Sequence, residues 1–296
     1  MKLLLIVNPH AGHGRAGKWI EPMRKRFAER GIETDLRVTG HPGHAVEIVR
    51  EADFTRYDGL AAAGGDGTLF ETVNGFFRNG SGRHIPLGVI PVGTGNAYAR
   101  DLELKTMGWE KAVDVIAAGK TKPLDAGLYR CGQGETWWLN IVGLGFVADV
   151  VQTASRLKWI GNLSYTLGVF HRMAALKTFR MTLTADGRTL ERESLFVEVS
   201  NTRYTSNFFM APAARLDDGL LDVTILGPMT RRQLVTAFPK IFTGEHVRLP
   251  QVESFTASRI RIETDSPKVL TPDGELTGFT PVTIECLPGA VGVFVP

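Results

Sequence analysis

Two glycine-rich turns carry the residues of this chain whose types and spacing could do chemistry. They are Gly64-Gly65-Asp66-Gly67-Thr68 and Pro91-Val92-Gly93-Thr94-Gly95-Asn96, and each lies between an apolar run and a segment that can be helical. Backbone N–H groups in such turns converge on one spot, which suits a polyphosphate. Asp66 adds a carboxylate that can hold Mg²⁺ or take a proton. Together the two turns predict a phosphotransferase that uses a nucleotide.

The first turn also has an ordinary structural interpretation, in which Asp66 only caps the following helix. The second turn stands at the matching place after a neighbouring strand, which favours the functional interpretation. A third glycine turn, at residues 8–14, follows the first strand, and its Asn8 can hydrogen-bond a phosphate. This third turn matches neither the Walker A pattern nor the dinucleotide-binding fingerprint.

Four histidines on loops near these turns could suggest a metal site. The spacing of His10, His13, His41 and His44 fits no known set of metal ligands. We therefore interpret them as polar loop residues near anionic phosphate.

The first 125 residues alternate between strand and helix patterns. Strands are predicted at 3–7, 34–39, 60–63 and 87–90, and helices at 18–29, 45–52, 68–77 and 109–117. Such alternation predicts a parallel sheet with helices on both faces. Ligands of these sheets bind at the carboxyl ends of the strands, where both glycine turns fall.

The pattern changes after residue 125. Short β-type runs are predicted at 136–142, 180–184, 195–200, 222–226, 258–263, 282–286 and 291–295, with helices at 163–176 and 230–238. We therefore predict an α/β fold with two domains. A Rossmann-like nucleotide-binding domain spans 1–125, and an antiparallel β-sandwich domain spans 126–296, whose last strand can return to the first domain.

Composition excludes several classes of protein. The 296 residues are 43% apolar and 22% charged with a net charge of +3, which is ordinary for a globular protein and too mild to indicate nucleic acid as a partner. Cys131 and Cys286 match no disulfide or metal spacing, which is compatible with a reducing cytoplasm. No stretch approaches the ~18 apolar residues that span a bilayer. We expect a cytoplasmic protein, and no oligomeric state is predicted.

Six motifs occur in order along the chain, and together they carry a resemblance. They are Asn8-Pro-x-Ala-Gly-x-Gly, Thr39-x-x-x-Gly-His, Gly64-Gly-Asp-Gly-Thr, Pro91-x-Gly-Thr-Gly-Asn-x-x-Ala-Arg100, Leu216-Asp-Asp-Gly-Leu-Leu-Asp222 and Asp273-Gly-Glu275. The chain resembles the diacylglycerol kinase catalytic-domain family, which includes bacterial lipid kinases and the sphingosine and ceramide kinases. The resemblance implies an α/β nucleotide domain, a lipid-binding β-sandwich and an active site in the cleft between them. It also implies transfer of the γ-phosphate of ATP to a lipid hydroxyl with Mg²⁺.

The resemblance assigns roles to particular residues. Backbone N–H groups of 65–68 and 93–94 would cradle phosphates, and side chains around them would add hydrogen bonds. The implied nucleotide-binding set is Asn8, Thr39, Gly64, Gly65, Asp66, Gly67, Thr68, Glu71, Gly93, Thr94 and Asn96.

Two carboxylates are candidates for the catalytic base. Asp66 would engage Mg²⁺ or act as base, and Glu275, presented from the second domain by a turn at Pro272 and Gly274, is the other candidate. Without the resemblance, the segment around Glu275 would be read as an ordinary exposed acidic turn.

Related lipid kinases hold a second, structural Mg²⁺ on a loop of the second domain. Carried over by position, its ligands would be Asp218 and the main-chain carbonyls of Arg215 and Leu220. The alternative interpretation is a solvated hairpin turn in which an aspartate is the local cap.

The stretch 150–185 contains basic and aromatic residues and no acidic residue. It predicts peripheral contact with an anionic membrane, although a helix packed on the sandwich with solvated charges would look the same. The surrounding sequence is similar to sphingosine kinases, yet Val151 stands where those enzymes place an acidic residue for the substrate amine. An apolar side chain cannot pair an ammonium group, which favours a neutral lipid alcohol such as diacylglycerol.

Three alternatives stay open at this point. They are a sphingosine or ceramide kinase, an NAD kinase-like or phosphofructokinase-type phosphotransferase, and a lipid-binding protein without catalytic activity. The ordered motifs fit a lipid kinase better than the second alternative. Intact Asp66 and Glu275 argue against the third.

Overall fold

The computed structural model of the chain describes residues 1–104, 106–146 and 177–296. They form two compact units, Met1–Ala126 together with Gly289–Pro296, and Gly127–Pro288. The last residues of the chain therefore belong with the first unit. The predicted helix at 163–176 lies outside the described residues, as do Val151 and most of the predicted membrane-contacting stretch.

The first unit alternates strands and helices. Its elements are β1 (Lys2–Val7), α1 (Ala16–Glu29), β2 (Glu33–Val38), α2 (His44–Glu51), a 3₁₀ turn (Phe54–Arg56), β3 (Gly59–Gly64), α3 (Asp66–Phe77), β4 (Leu87–Pro91), α4 (Ala97–Asp101) and α5 (Gly108–Ala118).

The remaining elements are mostly strands. They are β5 (Thr121–Cys131), β6 (Gly134–Trp138), β7 (Ile141–Gly145), β8 (Phe179–Ala185), β9 (Arg188–Ser194), β10 (Phe196–Ser200), β11 (Leu221–Leu226), α6 (Arg231–Ala237), two 3₁₀ turns (Phe238–Phe242 and Glu245–Arg248), β12 (Val252–Ala257), β13 (Arg259–Thr264), β14 (Leu270–Pro272) and β15 (Val282–Phe294).

The sheet of the first unit is parallel. Its strands lie in the order β2, β1, β3, β4, and Val293 near the end of β15 pairs in parallel with Leu87 of β4. β1 is apolar from Leu3 to Val7, and all five side chains are buried. A continuous apolar strand is expected where helices cover both faces of a sheet. The predicted α/β class of this unit is confirmed.

The second unit is antiparallel. One five-stranded sheet has the order β12, β11, β10, β7, β14, and a second set pairs the first half of β15 with β13, then β8, then β9. Val142, Val199 and Val223 lie in register across three strands of the first sheet and are buried. This arrangement confirms the predicted antiparallel sandwich-like domain.

The single strand predicted at 136–142 is interrupted in the structure. Residues 136–142 form two strands, β6 and β7, which are separated at Leu139 and Asn140. The backbone N–H groups of Leu139, Asn140 and Ile141 donate to the carboxylate of Asp273 instead of to a neighbouring strand. A partner more than 130 positions away in sequence therefore sets this break.

Near the C-terminus, two strands were predicted where the structure has one. The strands expected at 282–286 and 291–295 are one continuous strand, β15, although Pro288 and Gly289 suggest a turn. The N–H of Gly289 donates to Asp125 Oδ1 at 2.7 Å, so β15 continues past the positive φ of Gly289.

Four strands of the described ranges were not predicted at all: β5, β9, β12 and β14. β9 reads Arg-Thr-Leu-Glu-Arg-Glu-Ser and lies at a sheet end, paired only with β8 along the strand order. Charged residues are typical of edge strands, which bury little apolar surface. Its apolar signal was therefore too weak to identify it.

Candidate functional site

Four parallel strands bring the predicted phosphate-binding residues to one edge of the first unit. Val7 pairs with both Val38 and Ala63, and Gly64 pairs with Pro91. The residues that follow these strands therefore begin at the same edge, which is where α/β sheets bind ligands. Asn8, Thr39 and the two glycine turns all start there.

The two main glycine turns touch each other through their backbones. A Cβ built on Gly93 would lie 2.3 Å from the Cα of Gly65, and a Cβ built on Gly64 would lie 2.3 Å from Thr68 Cβ. Real side chains do not tolerate such distances. Glycine is therefore required at position 93, because the two backbones approach too closely for a side chain, and at position 64, because the side chain of Thr68 fills the space.

The third glycine turn meets the second one. Gly12 has a φ of +61°, and a Cβ placed on it would lie 2.5 Å from the carbonyl oxygen of Val92. The structure therefore brings all three glycine turns together, as expected from their positions after β1, β3 and β4.

Asp66 is the acidic residue at the centre of this arrangement. It is the first residue of α3, and its Oδ1 accepts the backbone N–H of Ala97 at 2.7 Å. A Cβ on Gly95 would lie 2.4 Å from Asp66 Oδ2. The carboxylate is therefore held against the second glycine turn and the start of α4.

The beginning of α3 has the electrostatics that favour an anion. The first N–H groups of a helix have no intrahelical acceptor, and the helix dipole places partial positive charge there. Among the described residues, no side chain caps α3 at Gly65. Gly67 and Thr68, both predicted to bind phosphate, lie in this first turn.

Asn96 shapes its own turn. It adopts a left-handed backbone with φ of 54°, its Oδ1 accepts the N–H of Gly93 at 3.2 Å, and its Nδ2 donates to the Gly93 carbonyl at 2.8 Å. The N–H of Gly93 also lies 3.0 Å from the carbonyl of Gly64. The predicted phosphate contacts of Gly93 and Asn96 would therefore compete with bonds that the turn already makes, whereas Thr94 is exposed.

Asn8 and Thr68 join two of the turns. Asn8 Nδ2 donates to Thr68 Oγ1 at 3.1 Å, and Asn8 Oδ1 accepts the N–H of His10 at 3.0 Å. Thr39 lies at the same edge, where its N–H donates to the Val7 carbonyl, and its side chain is largely buried.

Glu71 has a structural contact that the sequence did not suggest. Its two carboxylate oxygens accept the N–H groups of Gly43 at 2.8 Å and Ala45 at 3.2 Å, at the beginning of α2. Glu71 thus caps a neighbouring helix from α3. Its predicted role toward the nucleotide stays a prediction.

The histidines near the site form one group with metal-ligating atoms. His41, His44 and Glu47 bring such atoms within 4.8 Å of one another. However, His44 Nδ1 accepts the N–H of Gly40 at 3.0 Å, and the His41 and His44 rings stack at 4.6 Å. The first of these contacts occupies His44 Nδ1. His44 is the first residue of α2, so its interpretation as a loop residue is wrong. That the histidines bind no metal stays a prediction.

In the second unit, Asp273 fixes the turn that presents Glu275. Its carboxylate accepts three N–H groups, from Leu139, Asn140 and Ile141, at 2.9–3.2 Å. Asp273 has a φ of +48° and its own N–H donates to the Ile141 carbonyl. Glu275 follows two residues later with an exposed side chain. The sequence motif identified Glu275, but only the structure shows why Asp273 accompanies it.

The predicted second metal loop is a turn with clustered carboxylates. Asp218 is exposed and its Oδ1 accepts the N–H of Leu220 at 3.1 Å, while Arg215 pairs with Asp217 at 3.5 Å. Burial and the nearby Asp218 raise the pKa of Asp222 to about 6. Carboxylates that repel each other in this way suit a bound cation.

Sequence reasoning missed a buried carboxyl group in β10. Glu198 is 1% exposed, and burial raises its pKa to about 7 although Thr205 Oγ1 donates to it at 2.6 Å and Ser200 Oγ at 3.3 Å. The available signal was a lone acidic residue inside the apolar run Phe196-Val-Glu-Val-Ser200.

No helix in the described ranges combines the length and the apolar character needed to cross a membrane. This finding leaves peripheral contact with a membrane as a prediction.

Family models match both halves of the chain. The diacylglycerol kinase catalytic domain matches residues 2–129, and the YegS C-terminal NAD kinase beta sandwich-like domain matches residues 140–295. The boundary between the two matches lies close to the boundary between the two compact units.

Relatives match over nearly the whole length. A diacylglycerol kinase of Mycobacterium tuberculosis is 30% identical over 299 residues, covering 100% of this chain and 95% of the relative. A diacylglycerol kinase of Bacillus subtilis is 30% identical over 280 residues, covering 94% and 90%. The crystal structure of a Bacillus anthracis protein assigned to the diacylglycerol kinases is 27% identical with a TM-score of 0.82, covering 100% of this chain and 95% of that one.

Proposed function

We propose that this chain, which belongs to the diacylglycerol kinase catalytic-domain family, is an ATP-dependent kinase that phosphorylates the hydroxyl of a lipid, with diacylglycerol as the favoured acceptor. The observation that carries the proposal is the contact between the two glycine turns, with Asp66 held beside them. A backbone without side chains at this point lets a phosphate chain approach the N–H groups directly.

The first turn of α3 would hold the phosphates. Its N–H groups and the positive end of the helix dipole favour negative charge. Thr94 is exposed in the facing turn, so its hydroxyl can donate a further hydrogen bond. Three side chains would act mainly by fixing the shape of the turns, namely those of Asn8, Thr39 and Asn96. Their hydrogen bonds connect neighbouring segments at the edge of the sheet where the glycine turns lie.

Asp66 would act at the phosphate end of the nucleotide. Since a carboxylate beside phosphates is repelled by them, this placement fits a bound Mg²⁺, whose preferred ligands are oxygens. When bound, the ion would offset the negative charge of the phosphates. The hydrogen bond from Ala97 keeps Asp66 Oδ1 in place.

Glu275 is the favoured base toward the acceptor hydroxyl, and Asp66 is the alternative. Phosphoryl transfer requires positioning, neutralisation of charge and modest help with the proton of the hydroxyl. The exposed Glu275 carboxylate sits on a turn that Asp273 immobilises through three backbone bonds, so little ordering is needed when a substrate arrives. General-base help of this kind is worth roughly 10²–10⁴ in rate.

A second Mg²⁺ would stabilise the loop at Asp218. The Asp218 carboxylate and the carbonyls of Arg215 and Leu220 supply hard oxygen donors. The pKa of Asp222 is raised mainly by burial and, to a smaller extent, by the negative charge of the nearby Asp218. The ion would have a structural role here, because it would hold the turn before β11.

The choice of acceptor rests on the sequence, where Val151 replaces the acidic residue that would meet an amine. A neutral alcohol such as diacylglycerol therefore suits the chain better than sphingosine. Such an acceptor lies in a membrane, so we also propose that the protein contacts the surface of an anionic bilayer peripherally.

A radiolabelled-ATP assay with separate lipids tests the proposal. The acceptors are diacylglycerol, monoacylglycerol, sphingosine, ceramide and NAD, each with Mg²⁺, and the Asp66→Asn variant serves as the inactive control. We expect labelled product from diacylglycerol and much less from sphingosine. Labelled NAD, or no consumption of ATP with any lipid, would refute the proposed function.

A further inference from the structure

Four polar side chains at and after the end of β10 are completely buried. They are Glu198, Ser200, Asn201 and Thr202, and each is at most 1% exposed. Burial of polar groups is unfavourable unless hydrogen bonds replace those made to water. The hydrogen bonds of these residues lead from Glu198, in the middle of the sheet, toward the turn that carries Glu275.

Glu198 fixes the loop that follows β10 (residues 201–208). Its Oε1 accepts the hydroxyl of Thr205 at 2.6 Å and that of Ser200 at 3.3 Å. Thr205 and Phe208 also exchange two backbone hydrogen bonds, each of 2.9 Å. The carboxyl group of Glu198 therefore anchors a tight turn of this loop on the sheet.

The beginning of the same loop holds the backbone between β6 and β7. The N–H of Asn201 donates to the Asn140 carbonyl at 2.8 Å, and Asn201 Nδ2 donates to the Leu139 carbonyl at 2.9 Å. The N–H of Thr202 also reaches the Asn140 carbonyl, at 3.3 Å. The loop therefore binds the carbonyl groups of the same two residues whose N–H groups donate to Asp273.

A continuous path of hydrogen bonds and short backbone segments thus joins Glu198 to the proposed base. Asp273 binds the far side of the two peptides that the loop holds, and Glu275 follows it by two residues. The N–H of Glu275 donates to the Pro272 carbonyl at 2.8 Å, which closes the Glu275 turn (residues 272–275). Buried hydrogen bonds in series strengthen one another, so the loss of one member weakens the rest. All of these residues belong to the same compact unit.

We propose that Glu198 is a positioning residue, whose protonated side chain holds the loop after β10 and thereby keeps the Glu275 turn in place. The inference rests on the proposed function, in which Glu275 is the favoured base. A buried carboxylate is costly unless water or a cation reaches it. Ionisation of Glu198 should therefore open the loop and loosen the turn.

The surroundings of Glu198 favour its neutral form. On the adjacent strands it stands opposite Gly143 of β7 and Thr224 of β11, which carry no charge. Burial raises the pKa of Glu198 to about 7, and the hydroxyl groups of Thr205 and Ser200 offset part of this effect. Glu198 thus changes its charge near neutral pH.

Three ionisable side chains lie on β7, β11 and the loop, which adjoin Glu198. They are Asp222, two positions from Thr224 on β11, and Arg203 and Tyr204 in the loop. The Arg203 guanidinium lies 5.9 Å from the centroid of the Tyr204 ring. Burial and, less strongly, Asp218 raise the pKa of Asp222 to about 6. None of these three side chains contributes to the raised pKa of Glu198.

The dependence of kcat on pH tests the proposal with the full chain and diacylglycerol as acceptor. Glutamine has the shape of glutamic acid, accepts the same two hydroxyl groups and stays neutral, so Glu198→Gln should match the wild type at about pH 6. At about pH 8 the wild type should be about ten-fold slower than Glu198→Gln, because only about a tenth of Glu198 stays protonated. The KM for ATP should be equal in both proteins. Equal kcat at about pH 8 overturns the proposal.

Thr205→Val tests the hydrogen bond apart from the carboxyl group. Valine has nearly the shape of threonine, so the loop keeps its packing and loses only the 2.6 Å bond to Glu198. We expect a several-fold lower kcat with an unchanged KM for ATP. Thr256→Val, at an exposed position of β12, is the matched control and should behave as the wild type does. A Thr205→Val variant with the kcat of the wild type overturns the proposal.

Amide hydrogen exchange reports on the turn without any catalysis, so the two proposals fail differently. The N–H groups of Leu139, Asn140 and Ile141 should be several-fold less protected in the wild type than in Glu198→Gln at about pH 8, and equally protected at about pH 6. If exchange behaves so while no lipid is phosphorylated, the positioning of the turn stands and the proposed function fails. If diacylglycerol is phosphorylated while neither exchange nor kcat distinguishes the two proteins, the positioning role fails and the proposed function stands.

Discussion

The carboxylate of Asp66 and the backbone N–H of Ala97 are joined by a hydrogen bond of 2.7 Å. This bond ties the start of α3 to the start of α4, and with it the two glycine turns that precede these helices. One residue thus has a structural contact through Oδ1 and a proposed chemical role through its charge. The two roles can be separated by substitution.

The Asp66→Asn variant should lose at least ~100-fold in turnover while its melting temperature changes little. Asparagine keeps an oxygen that can accept the Ala97 N–H, so the turn should survive the loss of charge. Steady-state kinetics and a thermal melt measure the two effects. Asp58→Asn, an exposed aspartate before β3, is the control. Near-normal turnover of Asp66→Asn would remove Asp66 from the mechanism.

The Gly95→Ala variant should displace the Asp66 carboxylate. The added methyl group would lie 2.4 Å from Asp66 Oδ2, so the carboxylate must move. A displacement of about 1 Å can cost roughly 10²-fold in rate, and we expect kcat to fall more than the affinity for nucleotide. Gly80→Ala is the matched control, because a Cβ at Gly80 meets nothing within 4 Å. Equal kcat in both variants would show that the position of the carboxylate is unimportant.

Glu275→Gln should lower turnover at least ~100-fold without destabilising the protein, if Glu275 is the base. The side chain is exposed, so its replacement leaves the packing of the second unit unchanged. Kinetics over a range of pH provide the measurement, since the limb of the rate profile that reports the base should disappear. A variant with unaltered rate and pH profile would leave Asp66 as the candidate base.

Asp273→Ala provides the contrast to Glu275→Gln. It leaves the N–H groups of Leu139, Asn140 and Ile141 without their acceptor, which should cost at least about 2 kcal/mol. Its melting temperature should therefore fall, whereas that of Glu275→Gln should not. Asp273→Ala thus tests the loss of the turn itself, whereas Glu275→Gln tests the loss of the Glu275 carboxylate from an intact turn.

Glu198 should make the stability of the protein depend on pH. Its pKa is raised from 4.5 to about 7 by burial, so the unfolded chain ionises this group at lower pH than the folded protein does. The contribution of Glu198 to the free energy of unfolding is therefore fully present below the pKa that this group has in the unfolded chain. It is lost as the pH rises toward 7, by about 3 kcal/mol in total. Urea unfolding of wild type and Glu198→Gln between about pH 5 and about pH 8 measures the effect.

In Glu198→Gln this loss of stability with rising pH should shrink by about that amount. Glu191→Gln on the exposed face of β9 is the control and should behave as the wild type does. If the wild type and Glu198→Gln show the same pH dependence, the carboxyl group ionises normally in the fold.

The first unit could be predicted well from the sequence because its signals are local. The apolar run from Leu3 to Val7 predicts a buried strand, and the glycine turns after β3 and β4 predict where those strands end; each of these signals lies within a few residues. The break between β6 and β7 could not be predicted, since it depends on Asp273 far along the chain. β9 was missed because its charged residues resemble a loop.

The candidate site was predicted as a set of residues rather than as a set of contacts. Motif order located Asp66, Glu275 and the glycine turns. It did not show that Glu71 caps α2, or that Asn96 bonds back to Gly93, because these bonds depend on how separate segments meet. The raised pKa of Glu198 could not be predicted from the sequence, because the burial that causes it is a property of the folded sheet.

A crystal structure of the protein with Mg²⁺ and ADP tests the central claim most directly. The account predicts that the phosphates lie at the beginning of α3, against the contact between Gly65 and Gly93, with Asp66 toward the phosphate end. A nucleotide bound anywhere else, or no nucleotide bound at a concentration that saturates related kinases, would contradict it.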